Sequence, residues 1–98
     1  MIRKNYSKSG RVCRVTFDFV PQETVSRVAL CGEFNAWDPD AHPMRERKDG
    51  RFSTTVSLQS GRIYRFKYLV EAESWENDSA ADAFTRNAFG TEDSIVKV

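Results

Sequence analysis

The chain has 98 residues, 40% of them hydrophobic and 30% charged, a composition typical of one globular domain with a single core. Fifteen Lys and Arg against fourteen Asp and Glu leave a net charge of +1, too balanced for the cationic field that attracts nucleic acid. No apolar stretch approaches the roughly 20 residues of a membrane span, and the first residues contain no apolar run typical of a signal peptide. We therefore expect a cytoplasmic protein that binds neither nucleic acid nor membranes.

Residues that carry catalytic or metal chemistry are scarce. Cys13 and Cys31 form no CxxC pair and His42 is the single histidine, so we predict no metal site and no cofactor. Both cysteines are interpreted as buried thiols, with a disulfide between them as the alternative. Nucleophilic catalysis needs a base beside the nucleophile, and glycosidic cleavage needs a pocket that encloses the sugar. A domain of this size offers a face or a groove instead, so we predict no enzyme activity and no catalytic residues.

The first half of the chain predicts two strands followed by an exposed loop. Segment 11–20, RVCRVTFDFV, alternates apolar and polar side chains, which is typical of a half-buried strand. The alternation is interrupted at Pro21 and resumes over 26–34, SRVALCGEF. Residues 35–44, NAWDPDAHPM, are rich in Asn, Asp and Pro, which favour turns. The residues expected to face the core are Cys13, Val15, Phe17, Phe19, Val28, Leu30, Gly32 and Phe34.

The second half predicts a hairpin, a long loop and a last strand. Turn signals at 49–50 and 60–61 border segments 52–58 and 62–70, which are expected to pair as an antiparallel hairpin. In the second of these strands Arg65, Lys67 and Leu69 lie on the face away from the core. Residues 75–91 lose the alternation and predict a surface loop in which only AADAF favours a helical turn. SIVKV, residues 94–98, predicts the last strand.

These elements predict an all-β fold, an immunoglobulin-like antiparallel β-sandwich. The domain is expected to cover 11–98, after a flexible polar tail over 1–10. Short strands separated by turns, with almost no helix, are the basis for this prediction.

Two tryptophans lie outside the alternating strands. Trp37 follows the second strand and Trp75 begins the long loop. A flat apolar ring with a polar edge suits the apolar face of a pyranose ring. The polar residues beside them that can bond sugar hydroxyls are Asn35, Asp38, Asn77 and Asp78, and Lys67 points outward on the neighbouring strand. From the chemistry alone, sugar binding and a structural role as plugs for an open end of the sandwich both remain open.

Several segments carry the pattern of a known family. VALCGEFNAWD, residues 28–38, resembles the V-x-L-x-G-x-F-N-x-W hallmark of carbohydrate-binding module family 48. Residues 42–52 are similar to the H-P-M-R-x-R-K stretch of branching enzymes, and 62–70 to the G-x-x-Y-x-Y-K-F-x-V strand of the kinase module. The ending, 75–98, resembles the W-x-x-D, N-x-F-G and N-S-V-V motifs of that module. The family includes the glycogen-binding domain of the AMP-activated protein kinase β subunit and N-terminal domains of branching enzymes and isoamylases.

The resemblance implies an early-set immunoglobulin-like sandwich that binds glycogen, starch or maltodextrin without catalysis. It makes Trp37 and Trp75 stacking platforms and Lys67 a hydrogen-bond donor, while Asn35 beside Trp37 is a further candidate. Phe89, Thr91 and Asp93 occupy the places that complete the groove, although Asp93 stands where Asn is usual and EAES replaces an Asp-Gly turn after Val70. The protein partners that the resemblance implies are a glycoside hydrolase, a branching enzyme or a kinase subunit. The alternative is a module that docks on such a protein without touching sugar.

Overall fold

The computed structural model describes residues 1–98 as two antiparallel sheets packed face to face. The first sheet has the order β1-β2-β5-β4, with β1 Ile2–Tyr6, β2 Val12–Phe19, β4 Arg45–Glu46 and β5 Phe52–Gln59. The second has the order β3-β6-β9-β8, with β3 Val28–Gly32, β6 Ile63–Val70, β8 Ala83–Arg86 and β9 Glu92–Lys97, and β7 Ser74–Glu76 also pairs with β6. One 3-10 turn, Glu33–Asn35, follows β3. The structure contains no helical segment that could span a membrane.

The core lies between the two sheets, where the alternating apolar residues of both meet. Phe17 from the first sheet contacts Phe66 from the second edge to face, with 5.0 Å between ring centroids. Leu30 and Tyr68 are fully buried beside them. This confirms the predicted immunoglobulin-like sandwich and the inward faces of the main strands. Cys13 and Cys31 are both buried and free, as the preferred interpretation had it.

The hairpin predicted from segments 52–58 and 62–70 is wrong. β5 pairs with β2 and β4, whereas β6 pairs with β3, β7 and β9 in the other sheet. The backbone of the turn explains the separation. Ser60 N–H donates to the Arg11 carbonyl before β2, and Gly61 N–H donates to the Val98 carbonyl after β9. The turn therefore carries the chain from one sheet to the other.

Two segments without an apolar alternation also form strands. Residues 1–10 were expected to be a flexible tail, but Ile2–Tyr6 pairs with β2 in register from Ile2↔Phe17 to Tyr6↔Cys13. The loop predicted over 75–91 contains part of β7 and all of β8, with no helical turn at AADAF. These short edge strands are mostly exposed, so their pairing depends on backbone hydrogen bonds to a neighbouring strand and not on a hydrophobic face.

Candidate functional site

Three of the predicted site residues, Trp37, Trp75 and Lys67, lie on the outer face of the second sheet. Because directly paired residues of antiparallel strands project to the same side, the register Leu69↔Trp75 places Trp75 beside Leu69. Lys67 lies two residues before Leu69 and therefore projects to the same side, opposite Cys31 of β3. We call this surface, formed by Trp37, Trp75, Lys67 and Leu69, the tryptophan face.

The two tryptophans form one aromatic pair. Their ring centroids are 6.4 Å apart and their planes make an angle of 77°, an edge-to-face arrangement. Trp75 is 47% exposed and Trp37 is half-buried. Neither indole N–H donates a hydrogen bond to another protein group, so both remain available to a ligand. Leu69 is buried on this outer face, which gives the pair an apolar floor.

A polar cluster stands beside the aromatic pair. Lys67 is only 9% exposed, and its Nζ lies 3.4 Å from Thr91 Oγ1 and 3.6 Å from Asp93 Oδ1. Arg65 Nη1 lies 3.7 Å from the other oxygen of Asp93. Asn87 donates from Nδ2 to both Thr91 and Asp93, at 2.7 and 2.9 Å. The carboxylate that replaces the usual amide is thus shared among two cations and an amide, and it holds Lys67 in place.

Phe89 lies apart from these groups at the tip of the loop between β8 and β9. It is 91% exposed and contacts no other aromatic ring. Asn87 Oδ1 accepts from the N–H groups of Phe89 and Thr91, which fixes the loop that presents the ring. A fully exposed phenylalanine on an ordered loop is available to a ligand.

Asn35 holds the loop that carries Trp37. Its Oδ1 accepts from Gly32 N–H at 3.0 Å, and its Nδ2 donates to the Leu30 carbonyl at 3.0 Å and to His42 Nδ1 at 2.8 Å. These bonds use both donors of the amide and one lone pair of its oxygen. The structure therefore places Asn35 under the loop, and a direct sugar contact by its side chain stays a prediction.

The backbone of this loop is strained at two successive residues. Ala36 and Trp37 have φ of 56° and 59°, in the left-handed region that favours glycine. Such a conformation persists only when the surrounding structure over-determines it, and it aims the Trp37 ring.

The strain predicts the effect of glycine at Ala36. Because Gly adopts this φ without a Cβ clash, Ala36→Gly is expected to raise the free energy of unfolding by about 0.5 to 1 kcal/mol. Urea denaturation measures the change, with Ala88→Gly, an exposed position where no positive φ occurs, as the matched control. A lower free energy of unfolding for Ala36→Gly would contradict the interpretation that Ala36 is strained.

A second strained turn positions Trp75. Glu71 and Ala72 have φ of 55° and 59°, where Asn-Gly or Asp-Gly would be preferred. The Glu71 carboxylate accepts from the backbone N–H groups of Ser26 and Arg27 at 2.7 and 2.8 Å. The Arg27 backbone N–H contributes most to holding the pKa of Glu71 below its usual range, followed by Ser26. The altered turn is thereby anchored, and β7 keeps Trp75 opposite Leu69.

Other polar residues near the tryptophans in the sequence serve the fold. Asp78 is 3% exposed and accepts from the Tyr68 hydroxyl in the interior. Asn77 donates to the Glu92 carbonyl and accepts from Ser94. The expectation that Asp78 can bond a sugar hydroxyl is therefore wrong, because its carboxylate is buried. Asn77 is exposed, and a sugar contact by its side chain stays a prediction.

Cys31 lies under the Trp37 loop on the tryptophan face and was not predicted to be near a site. Burial, and then the Asp38 carboxylate, raise the pKa of its thiol to about 11. The thiol therefore stays neutral at physiological pH and acts as a small apolar group below the loop.

Comparisons with known proteins agree on one family. A family model described as the glycogen recognition site of AMP-activated protein kinase matches residues 15–98. The 1,4-alpha-glucan branching enzyme GlgB 2 of Xanthomonas campestris pv. campestris (strain 8004) is 36% identical over 45 residues, 45% of this chain and 6% of that enzyme. The 1,4-alpha-glucan branching enzyme GlgB of Photobacterium profundum is 42% identical over 43 residues, 43% of this chain and 6% of the enzyme. The similar segments thus span only a small part of the length of these enzymes.

Proposed function

Because this chain belongs to the family of the glycogen recognition site of AMP-activated protein kinase, we propose that its tryptophan face binds α-1,4-linked glucan chains such as glycogen, starch or maltodextrin. The chain is a carbohydrate-binding domain, as the family match and the branching-enzyme relatives indicate. The family is non-catalytic, and the function proposed for this domain is binding without cleavage.

The observation that carries the proposal is the pair of tryptophans on one face beside Lys67. An indole face packs on the apolar C–H face of a glucose unit, and each free indole N–H can donate to a hydroxyl. The rings stand at 77° to each other, so two glucose units stacked on them must differ strongly in orientation. An α-1,4-linked chain curves in this way, whereas a β-1,4-linked chain is extended.

The proposed affinity is modest, because the face is open and its hydrogen bonds are partly solvated. Two stacked rings and a few hydrogen bonds contribute about 4 to 7 kcal/mol, equivalent to a Kd from about 1 mM to about 10 µM. A polymer with many equivalent sites increases retention by avidity. On this basis the module concentrates an associated glucan-metabolising enzyme or kinase on its polymer, and the branching-enzyme relatives support such a partner.

Titration with maltoheptaose tests the proposal, with tryptophan fluorescence and amide chemical shifts as readouts. Cellohexaose serves as the control, since it offers the same glucose rings in an extended chain. Saturable binding of maltoheptaose with shifts at the two indole N–H signals is expected. Absence of binding to both maltoheptaose and glycogen would contradict the proposal and favour a protein-docking module.

Substitutions in the polar cluster are expected to change the affinity for maltoheptaose by different amounts. Lys67→Ala removes a hydrogen-bond donor worth about 0.5 to 1.5 kcal/mol, so affinity for maltoheptaose should fall by up to roughly tenfold. Asp93→Asn keeps an acceptor, adds an amide donor for a sugar hydroxyl and removes the charge that competes with the sugar for Lys67 at 3.6 Å, so affinity should be unchanged or higher. Isothermal titration of both variants measures the difference. A Lys67→Ala variant with wild-type affinity would exclude Lys67 from the site.

A further inference from the structure

Asn35 and His42 stand at the two ends of the loop that presents Trp37. Asn35 Nδ2 lies 2.8 Å from His42 Nδ1, so one side-chain hydrogen bond joins the ends of segment 36–41. The backbone of His42 is fixed as well, because its carbonyl accepts from Leu30 N–H at 3.0 Å in β3. His42 is therefore well placed to determine the conformation of the Trp37 loop.

The direction of this hydrogen bond is set by the other partners of Asn35. The Gly32 N–H requires an oxygen and the Leu30 carbonyl requires an N–H, which fixes the orientation of the amide. Nδ2 is therefore the donor toward His42, and His42 Nδ1 must be the acceptor. Only a neutral imidazole with its proton on Nε2 provides that acceptor.

Protonation reverses the interaction. An imidazolium carries N–H groups on both nitrogens, so a donor would face the Asn35 donor at the same position. Asn35 cannot flip to compensate, since its oxygen would then meet the Leu30 carbonyl and its NH₂ group the Gly32 N–H. The bond between the loop ends is lost, so the strained residues Ala36 and Trp37 lose one of the restraints that hold their conformation. The remaining restraints include the hydrogen bond from Trp37 N–H to the Gly32 carbonyl at 2.9 Å.

No carboxylate forms an ion pair with the His42 ring. The ring packs edge to face against Phe34, with 6.2 Å between centroids. None of the charged or titratable residues on the adjoining elements forms an ion pair with it: Glu33 of the 3-10 turn, Asp38 and Asp40 of its own loop, Cys31 of β3, and Arg45 and Glu46 of β4. Glu33 instead accepts from Arg65 N–H, and Asp38 accepts from Asp40 N–H.

We infer that His42 is a positioning residue for the Trp37 platform and that glucan binding requires its neutral form. Histidine is the side chain that changes charge between about pH 5 and 8, so binding weakens on mild acidification. The inference rests on the proposed function for its effect on affinity, but the change in the Trp37 loop is observable without sugar. His42 is the only histidine in the chain, which makes the effect assignable.

The test titrates wild type and His42→Asn with maltoheptaose at about pH 7.5 and about pH 5.5. Asparagine places a carbonyl oxygen near the position of Nδ1 and accepts from Asn35 at every pH. Wild-type affinity is expected to fall about tenfold at the lower pH, the scale of one lost hydrogen bond and a reoriented ring. His42→Asn is expected to change by less than about twofold, because carboxylates away from the pair remain ionised.

The indole signals of Trp37 and Trp75 in sugar-free protein are followed over the same pH range. The Trp37 signal is expected to move between the two pH values in wild type, and not in His42→Asn. Equal wild-type affinity at both pH values would overturn the inference while leaving the proposed function intact, as would the same loss in His42→Asn. If wild type binds no glucan at either pH, the proposed function fails. The Trp37 signal then decides the inference, since a stationary signal overturns it and a moving one supports it.

Discussion

Trp37→Ala is expected to abolish detectable binding to glycogen, and Trp75→Ala to weaken it severely. A tryptophan side chain has about 200 Å² of surface, and covering half of it with sugar contributes about 2.5 kcal/mol. Loss of one platform therefore corresponds to roughly 50- to 100-fold in Kd. The two rings also support each other through their edge-to-face contact at 6.4 Å, so each substitution disturbs the remaining ring as well. Glycogen co-sedimentation and maltoheptaose titration measure both variants.

Phe84→Ala is the matched control for loss of an exposed aromatic side chain. Phe84 is 45% exposed, close to the 47% of Trp75, but it pairs with Ser94 and so lies on the opposite side of the sheet from Asp93. Phe84→Ala should bind glycogen like wild type. Each variant is checked by thermal denaturation, since the half-buried Trp37 also packs within its loop. A folded Trp37→Ala protein that still sediments with glycogen like wild type would exclude the tryptophan face as the site.

The strands with two-residue alternation were predictable because burial of one face requires an apolar side chain at every second position. Phe17, Phe66 and Tyr68 are buried as the pattern predicted. Strand β1 has no apolar alternation, since Arg3, Lys4 and Asn5 are polar, and the strand is defined by backbone hydrogen bonds to β2. The partner of β6 was missed for a similar reason: alternation predicts a face but not which strand lies beside it.

The tryptophan face was partly predictable. Trp37 and Trp75 were predicted as site residues because they lie outside the alternating strands, where a large ring has no place in the core. The alternation of its strand predicted that Lys67 lies on the face away from the core. The role of Asn87 was missed, although an asparagine three residues before Gly90 is typical of a turn in which the side chain bonds its own loop. Asn35 was predicted to contact sugar, but its side chain bonds the backbone and His42 within its own loop. The sequence position of a polar residue beside Trp37 does not distinguish these two roles.

Asp78 was interpreted from the sequence as a group that can bond sugar hydroxyls, but the structure buries it. Its carboxylate accepts from the Tyr68 hydroxyl at 2.8 Å and from Ala80 N–H at 2.8 Å, inside the domain. Burial, and then the Asp78 charge, raise the pKa of Tyr68 well above its usual range, so the phenol keeps its proton and remains the donor. The pair thus ties β6 to the segment after β7, behind the sheet that carries the tryptophan face.

Asp78→Ala is therefore expected to lower the free energy of unfolding by about 2 to 4 kcal/mol, since it leaves the buried Tyr68 hydroxyl and Ala80 N–H without an acceptor. The exposed Asp40, whose carboxylate bonds no other group, is the matched control, and Asp40→Ala should change stability by less than about 0.5 kcal/mol. Urea denaturation gives the stabilities, and maltoheptaose titration below the unfolding transition gives the affinities. The folded Asp78→Ala protein should bind with a Kd within about twofold of wild type, because the carboxylate lies on the inner side of the sheet. Wild-type stability combined with lost binding would show instead that Asp78 contacts the sugar.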